Sequence, residues 1–557
     1  MSALLLEPLA LPVFSDDLGD KAPQFNSLET CKAWVSALAI TNVPQSLLRL
    51  RYQLDSFNRL ALPSDVFGAD RLAILDHLRG PILFVQGECA KRFALQRFAL
   101  PLAGEEQTVF DAEQALWRAL ETGYLQILQC LLKRAAVAPL NEAERHTAVR
   151  AARHALTTAR SACLAHYQAG LLPPASFWQR LHHAYMAAEE LHIHALIADN
   201  KSPAGAIYAD VLLLSAARPY RFSAKHLEQV AYWAQRWAIK VPLLPQLPED
   251  DRTPPLSVDL SGSQPATHVA TATATASPHH RWCDLRELRK TIKQRLAKLG
   301  EGVSPQELKL GKHCTQPDCE RLLVQVYRDW CKGGAVATPA AAGTVVSCEL
   351  VSGIEAIHAH LGGRRIQTPH ASLYLSKRSH EEIATFGHVT RHAGGEAAPV
   401  LKYDIEHWQV LNENLREIEM QRPLDAPGQP LRAGQLVVIR HSVDGQADLQ
   451  LAQVHWVACD LEGARLRVSI HLLPGIPRAV NLIRAANPGV KAQQAQGFCL
   501  PAVPALNQPA TLLVPTGWFG ADRVIEVHDD PASDDVWQSR LTQRLERGTD
   551  FERCACE

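Results

Sequence analysis

Few residues of this chain have the type and spacing to do chemistry. Cys314 and Cys319, in KHCTQPDCERL with His313 beside the first thiol, have the spacing of half a tetrahedral zinc site. The other half is missing, since only Cys283 and Cys331 are within reach in sequence, so the pair reads as two reduced thiols at a helix start. Cys554 and Cys556, on a polar tail, read as incidental rather than as a soft-metal or oxidant-sensitive pair. Among 24 histidines there is no His-Glu-x-x-His. His182–His183 and the His192/His194 pair would point to different faces of a helix, which predicts partly exposed residues rather than ligands. His388 and His392 with Glu381 or Glu382 are a weak metal option. No phosphate-binding glycine loop, G-x-G-x-x-G, G-x-S-x-G or recognisable acid pair occurs, so no catalytic residue, metal or cofactor is expected. What remains is the segment 408–478, since the rest of the chain reads as helix-rich scaffold without a catalytic signature.

That segment reads as strands. Residues 408–478 run WQVLNEN, RAGQLVVIR, LAQVHWV and RLRVSIHLLPGIP, with apolar residues alternating in short bursts between polar clusters. Period 2 with turns about every ten residues predicts a small antiparallel barrel or sandwich. Short strands are also expected at 345–351, 497–503, 511–514 and 523–527, with a helix at 353–361. Before them the period is helical. Helices are predicted at 28–38, 45–57, 111–134, 142–169, 177–196, 206–216 and 223–238, the last capped by Ser223 and presenting Leu227, Val230, Ala234 and Trp237 on one face. Short loops between them suggest stacked helical hairpins, although no fixed-period repeat is present.

The whole reads as a multidomain α+β chain. Residues 1–240 form a helical, hairpin- or repeat-like scaffold. Residues 241–281, with seven prolines and a THVATATATAS tract, form a linker in which PLSVDL has strand character and DLSGS reads as a turn. A helical connector over 282–343 carries a basic amphipathic helix, with Leu285, Leu288, Ile292, Leu296 and Leu299 on its apolar face. A β-rich region spans 344–533, and residues 534–557 read as a C-terminal helix and tail.

The segment from about 390 to 480 resembles a PilZ domain, the small β-barrel with which many bacteria sense cyclic di-GMP. Asn412-Glu413-Asn414-Leu415-Arg416-Glu417 sits where the family has an [Asp/Asn]-x-Ser-x-x-Gly turn. Ala433–Val437 is similar to its "GQ plus strand" segment, and Gln453–Val457 to its Val-Arg-Trp strand. The chain departs from the pattern at Asn414 (serine), Glu417 (glycine) and His455 (arginine). The approach to the first strand offers Arg391 and Lys402 in place of an Arg-x-x-x-Arg pair. The whole chain also resembles long betaproteobacterial proteins with a helical N-terminal half.

That resemblance implies cyclic di-GMP as ligand, with Arg391 and nearby cations such as Lys402 on its phosphates, Asn412 and Asn414 at a guanine edge, and His455 at the ligand-binding position where the family often has arginine. A net charge of −1 gives no sign of nucleic-acid polymer binding, and no apolar run is long enough to cross a bilayer. Scattered cysteines, thirteen in number, and an N-terminus without a basic leader place the chain in the cytoplasm. The expected protein is a non-enzymatic signalling effector that binds cyclic di-GMP, or a degenerate PilZ adaptor relaying to a protein partner through its helical half. The alternative is a helical-repeat scaffold or chaperone-like adaptor with no nucleotide ligand.

Overall fold

The computed structural model describes residues 5–62, 68–95, 98–197, 199–248, 253–268, 277–312, 314–333, 347–362, 405–414, 416–443, 446–484, 493–529 and 536–557. The chain divides into two compact units, residues 1–337 with 458–464 and residues 338–457 with 465–557.

The first unit is built on α1 (Leu28–Ser36), α2 (Val43–Phe57), α3 (Ala69–Leu95), α4 (Gly104–Ala135), α5 (Glu142–Gln168), α6 (Ala175–Glu190), α7 (Ala204–Ala216) and α8 (Ala224–Trp237). Polar N-caps start several of them: Ser27 and Asn141 close reciprocal capping boxes, and Ser223 accepts from the His226 amide. Helix α5 is the central post. Ala148, Ala151, Ala152, Ala155 and Ala159 are all buried along it, and their small side chains let neighbouring helices approach closely. The predicted face of α8 is likewise buried. Trp233 stacks on Trp237 at 5.8 Å between ring centroids, and each of Trp233 and Trp330 donates its indole N–H to a backbone carbonyl, Leu310 and Leu213, at 2.7 Å.

Three expectations for this unit are corrected. The 241–281 linker contains strands of a four-stranded sheet, β1 (Leu243–Leu244), β2 (Leu256–Asp259), β3 (Thr267–His268) and β4 (His280–Cys283), in the order β1-β4-β2-β3. Prolines flank these strands without interrupting them, so composition concealed the pairing. His182 and His183 are buried rather than partly exposed. Burial is tolerated because His182 is bonded at both ring nitrogens: Tyr208 Oη lies 2.7 Å from Nδ1 and the Gln264 carbonyl 2.9 Å from Nε2. Cys314 and Cys319 form a disulfide rather than two free thiols; a Cα separation of 5.3 Å across the turn before α10 (Asp318–Cys331) brings them together. The basic helix is α9 (Arg286–Gly300), with Leu288, Ile292 and Leu299 buried as expected.

The second unit holds a short helix, α11 (Ile354–His360), and two closed six-stranded antiparallel barrels. The first barrel contains β5 (Ser347–Ser352), β6 (Glu406–Glu413), β7 (Glu417–Pro423), β8 (Leu436–Val443), β9 (Gln446–Asp460) and β10 (Arg465–Leu472), in the order β10-β7-β6-β5-β8-β9. It therefore draws on a strand upstream of the PilZ-like segment. The second contains β11 (Arg478–Arg484), β12 (Gln493–Leu500), β13 (Thr511–Pro515), β14 (Arg523–His528), β15 (Val536–Arg547) and β16 (Phe551–Cys556), in the order β11-β12-β13-β16-β15-β14. Residues beyond 480 thus close a barrel of their own. Its strands β15 and β16 replace the expected C-terminal helix. The segment is rich in Gln, Arg and Leu, which favour helix, but β15 pairs with β14 on one side and β16 on the other. Cys554 is buried in that sheet and Cys556 is half-buried, neither on a free tail.

The buried histidines of the helical unit predict an acid limit to its stability. Burial lowers the His154 pKa to about 3 and those of His166 and His182 to about 4. Between these values and the unfolded value near 6.5 the unfolded chain binds more protons, so stability is fully present above about pH 6.5 and falls as pH drops toward 4. Urea unfolding followed by tryptophan fluorescence is expected to show a loss on the order of 1 kcal/mol per pH unit for each such histidine across that window. His182→Gln is expected to flatten the slope by about one histidine's share.

Candidate ligand site on the first barrel

The β6–β7 turn is the local feature that organises the outer face of the first barrel. The Asn414 amide donates to the Glu417 carbonyl at 2.9 Å. Its side-chain Oδ1 accepts from the Arg416 and Glu417 amides at 3.0 and 3.1 Å. This is an Asx-type turn, in which a short amide side chain supplies an acceptor that the backbone otherwise lacks. A register shift between Val410 and Asn412 bulges β6 just before the turn. Such bulges re-aim side chains at the rim of a barrel.

Alternation along β7 buries Ile418 and Met420 and leaves Glu417 and Glu419 on the outer side. Asn412 lies opposite Glu419, which lies opposite Ser469 on β10; Glu417 lies opposite His471. The Ser469 hydroxyl donates to Glu417 Oε1, and His455 Nδ1 stands 3.9 Å from the same oxygen. His455 in turn stacks on His471, with ring centroids 5.1 Å apart and planes within 20°. The stack is an exposed, flat aromatic surface with a carboxylate at its edge, able to receive the face of another ring.

The structure therefore brings three predicted residues, Asn412, Asn414 and His455, to strands and turns of one barrel. Asn414 differs from its expected role in one respect: its carbonyl oxygen is committed to the turn, so the outward function left to its side chain is donation. Arg391 and Lys402 lie outside the described residues, as do His388 and His392. Sequence reasoning missed His471 and Ser469. The alternation of RLRVSIHLL was the available signal, since it puts both on the strand that must neighbour the turn.

A second polar feature supports the same strands from beneath. Arg422, at the end of β7, and Glu406, at the start of β6, form a buried ion pair at 3.3 Å, with side-chain exposures of 2% and 3%. Trp408 lies under the guanidinium at 5.3 Å and donates its indole N–H to Glu406 at 3.1 Å. The Gln429 amide donates to the other Glu406 oxygen at 2.8 Å. Arg422 donates to the carbonyls of Pro423 and Ala426. Burial raises the Glu406 pKa against these bonds. An adjoining cleft of about 270 Å³ is lined by Ser347, His407, Gln409, Gln421 and Arg465 as well as Trp408 and Arg422. Among the described residues no group of three His, Cys, Asp or Glu side chains is placed to hold a metal.

Comparison with known proteins adds to this geometry. The family model described as the N-terminal domain of the cyclic-di-GMP receptor FimW matches residues 29–248. The model described as the FimW C-terminal β-barrel domain matches residues 479–556. Together they cover more than half of the chain, at its two ends and in the right order. The chain belongs to the FimW family. The first match falls on the helical unit and the second on the second barrel, whereas the first barrel lies between them. The FimW matches and the sequence resemblance of the first barrel's strands to a PilZ domain thus fall on different parts of the chain. No curated protein and no solved structure matches the chain significantly.

The buried pair predicts an asymmetric mutational response. Arg422→Met leaves Glu406 buried and unpaired, at an expected cost of about 3–5 kcal/mol in chemical denaturation. The double variant Glu406→Leu, Arg422→Met removes both charges and is expected to recover at least half of that loss. A double variant no more stable than the single one would rule out this account.

Proposed function

We propose that this FimW-family chain is a cyclic-di-GMP receptor whose dinucleotide site is the outer face of the first barrel around the β6–β7 turn. The observation that carries the reading is the turn itself. It stands where the PilZ family has its [Asp/Asn]-x-Ser-x-x-Gly turn, Asn414 holds it in Asx geometry, and a second exposed recognition surface, the His455–His471 stack, is tied to it through Glu417. The family description of FimW as a cyclic-di-GMP receptor supports the choice of ligand.

In this reading Asn412 and the Asn414 amide group bond a guanine edge, and His455 stacks on a base with its partner ring behind it. Arg391 and Lys402 neutralise the two phosphates, as planar or flexible cations do for phosphodiesters. Glu417 stands where a glycine is expected. Its carboxylate accepts from the Ser469 hydroxyl, which lessens its repulsion of an anionic ligand. The chain acts by binding, not by catalysis. The helical unit relays the bound state to a protein partner through an equilibrium that ligand shifts. A cytoplasmic location is supported by the scatter and odd number of the thirteen cysteines along the sequence. No helix among the described residues is long and apolar enough to cross a membrane.

Calorimetric titration of the full chain with cyclic di-GMP, at about 50 μM protein, is expected to give saturable heat with a Kd below that concentration. Asn412→Ala, His455→Ala and Arg391→Ala are each expected to weaken binding about tenfold or more, equivalent to about 1.4 kcal/mol. Absence of heat from the wild-type chain would refute the receptor reading. Unchanged affinity in all three variants would move the site elsewhere on the chain.

A further inference from the structure

The helical unit contains a concentration of positive charge that its own carboxylates do not balance. Three arginines converge from two helices, Arg79 on α3 and Arg150 and Arg153 on α5. Arg150, Arg153, His154 and Thr158 recur on α5 at three- and four-residue spacing, which keeps them on one face. Arg79 donates to the Thr158 hydroxyl at 3.3 Å. Arg150 is bonded to Asp76, whose other oxygen accepts from the Tyr124 hydroxyl at 3.2 Å and lies 3.5 Å from His154 Nε2. Lys201, on the loop before α7, adds a fourth cation. Among the described residues, the carboxylates set against this group are Asp76 and Asp199.

Arg153 shows the deficit most directly. Its side chain is 5% exposed, and its Nη2 reaches only His154 Nε2 at 3.4 Å and Asp199 at 3.6 Å. Asp199 is itself 47% exposed and hydrated, so it is a weak counter-charge. Nε and Nη1 of Arg153 have no hydrogen-bond partner, and neither does Nε of Arg150. Buried guanidinium nitrogens are rarely left so, because their lost hydration is not replaced. His154 reports the same field. Burial first, and then the charges of Arg79, Arg153, Arg150 and Lys201, drive its pKa down to about 3, so it stays neutral and adds no charge of its own.

We propose that this cluster is a binding site for a dianionic phosphate group, either inorganic phosphate or a phosphomonoester, separate from the dinucleotide site on the first barrel. Four cations against two carboxylates leave an excess of two, which matches a dianion. A carboxylate or a phosphodiester carries one charge and would leave the excess half-compensated. The tetrahedral oxygens of phosphate can accept from several guanidinium groups at once, and Nε and Nη1 of Arg153 are two open donors for them.

The test uses the full chain in a phosphate-free buffer near pH 7.5. Thermal melting is followed with low-millimolar inorganic phosphate or phenyl phosphate against sodium chloride at matched ionic strength. Either phosphate compound is expected to raise the melting temperature by several degrees beyond chloride. Arg153→Gln is expected to abolish that increment. Lys201→Gln, an exposed position whose loss does not disturb packing, is expected to shift the phosphate midpoint about tenfold upward. Arg321→Gln, an equal charge change on the exposed face of α10, is expected to retain the full response. A stronger response to phenyl phosphate assigns the site to a phosphomonoester, and an equal one to free phosphate. Identical melting in phosphate and chloride would overturn the proposal, as would an increment that survives in both Arg153→Gln and Lys201→Gln. Cyclic di-GMP titration of Arg153→Gln is expected to match the wild type. Loss of that binding would make the cluster the dinucleotide's own site and overturn a separate phosphate site, whereas failure of the phosphate response alone leaves the barrel site standing.

Discussion

Closure of the two barrels is the constraint on which the β-rich unit rests. An open sheet presents unpaired N–H and C=O groups along its edges, and six short strands closed into a ring present none. In the first barrel closure depends on β5, which pairs with β6 on one side and β8 on the other although more than fifty residues separate it from β6. In the second it depends on β16 returning between β13 and β15. The outer-face geometry follows from these pairings. The β6–β7 turn, Ser469 and the His455–His471 stack share a face because β10 is hydrogen-bonded beside β7, with a register that sets His471 opposite Glu417.

In the barrels several buried polar groups are tied into networks. Glu406 pairs with Arg422 and accepts from the Trp408 indole and the Gln429 amide, while Arg422 Nε has no hydrogen-bond partner of its own. Glu552 in the second barrel accepts from the amides of Gly517 and Phe519 at 3.1 and 3.0 Å and pairs with Arg544 at 3.1 Å. Such networks tie a turn or strand end to one arrangement, since a partner lost inside the protein is not replaced by water. The cluster around Arg153 differs in degree: that side chain leaves two guanidinium nitrogens open, Nε and Nη1, where Arg422 leaves Nε alone.

Placement of the family matches has a consequence for how the chain is organised. The FimW models fall on the helical unit and on the second barrel, and the barrel with the PilZ-like turn stands between them. Glu417 illustrates why that barrel departs from the usual motif. A glycine at the end of such a turn permits unusual backbone angles. Here the Asn414 side chain secures the turn through hydrogen bonds instead, and position 417 is free to carry a side chain that engages the neighbouring strands.

Much of the secondary structure was determined by the sequence alone, because periodicity and capping are local. The face of α8, the Ser223 cap, the apolar stripe of α9 and the strands around 408–478 are all legible from residue spacing. So is the turn at Asn412–Glu417, since an amide between strands is itself the device that makes it. Tertiary structure decided the rest. Residues 536–547 have the composition of a helix, and only pairing on both edges makes them a strand. His182 looks like a surface histidine until Tyr208 and Gln264, 26 and 82 residues away, are seen to occupy both ring nitrogens. The number of barrels, the partnership of His455 with His471 and the meeting of Arg79 with Arg153 are long-range contacts. Spacing along a chain carries no record of them, because what selects them is the closing of sheets and the packing of helices in three dimensions.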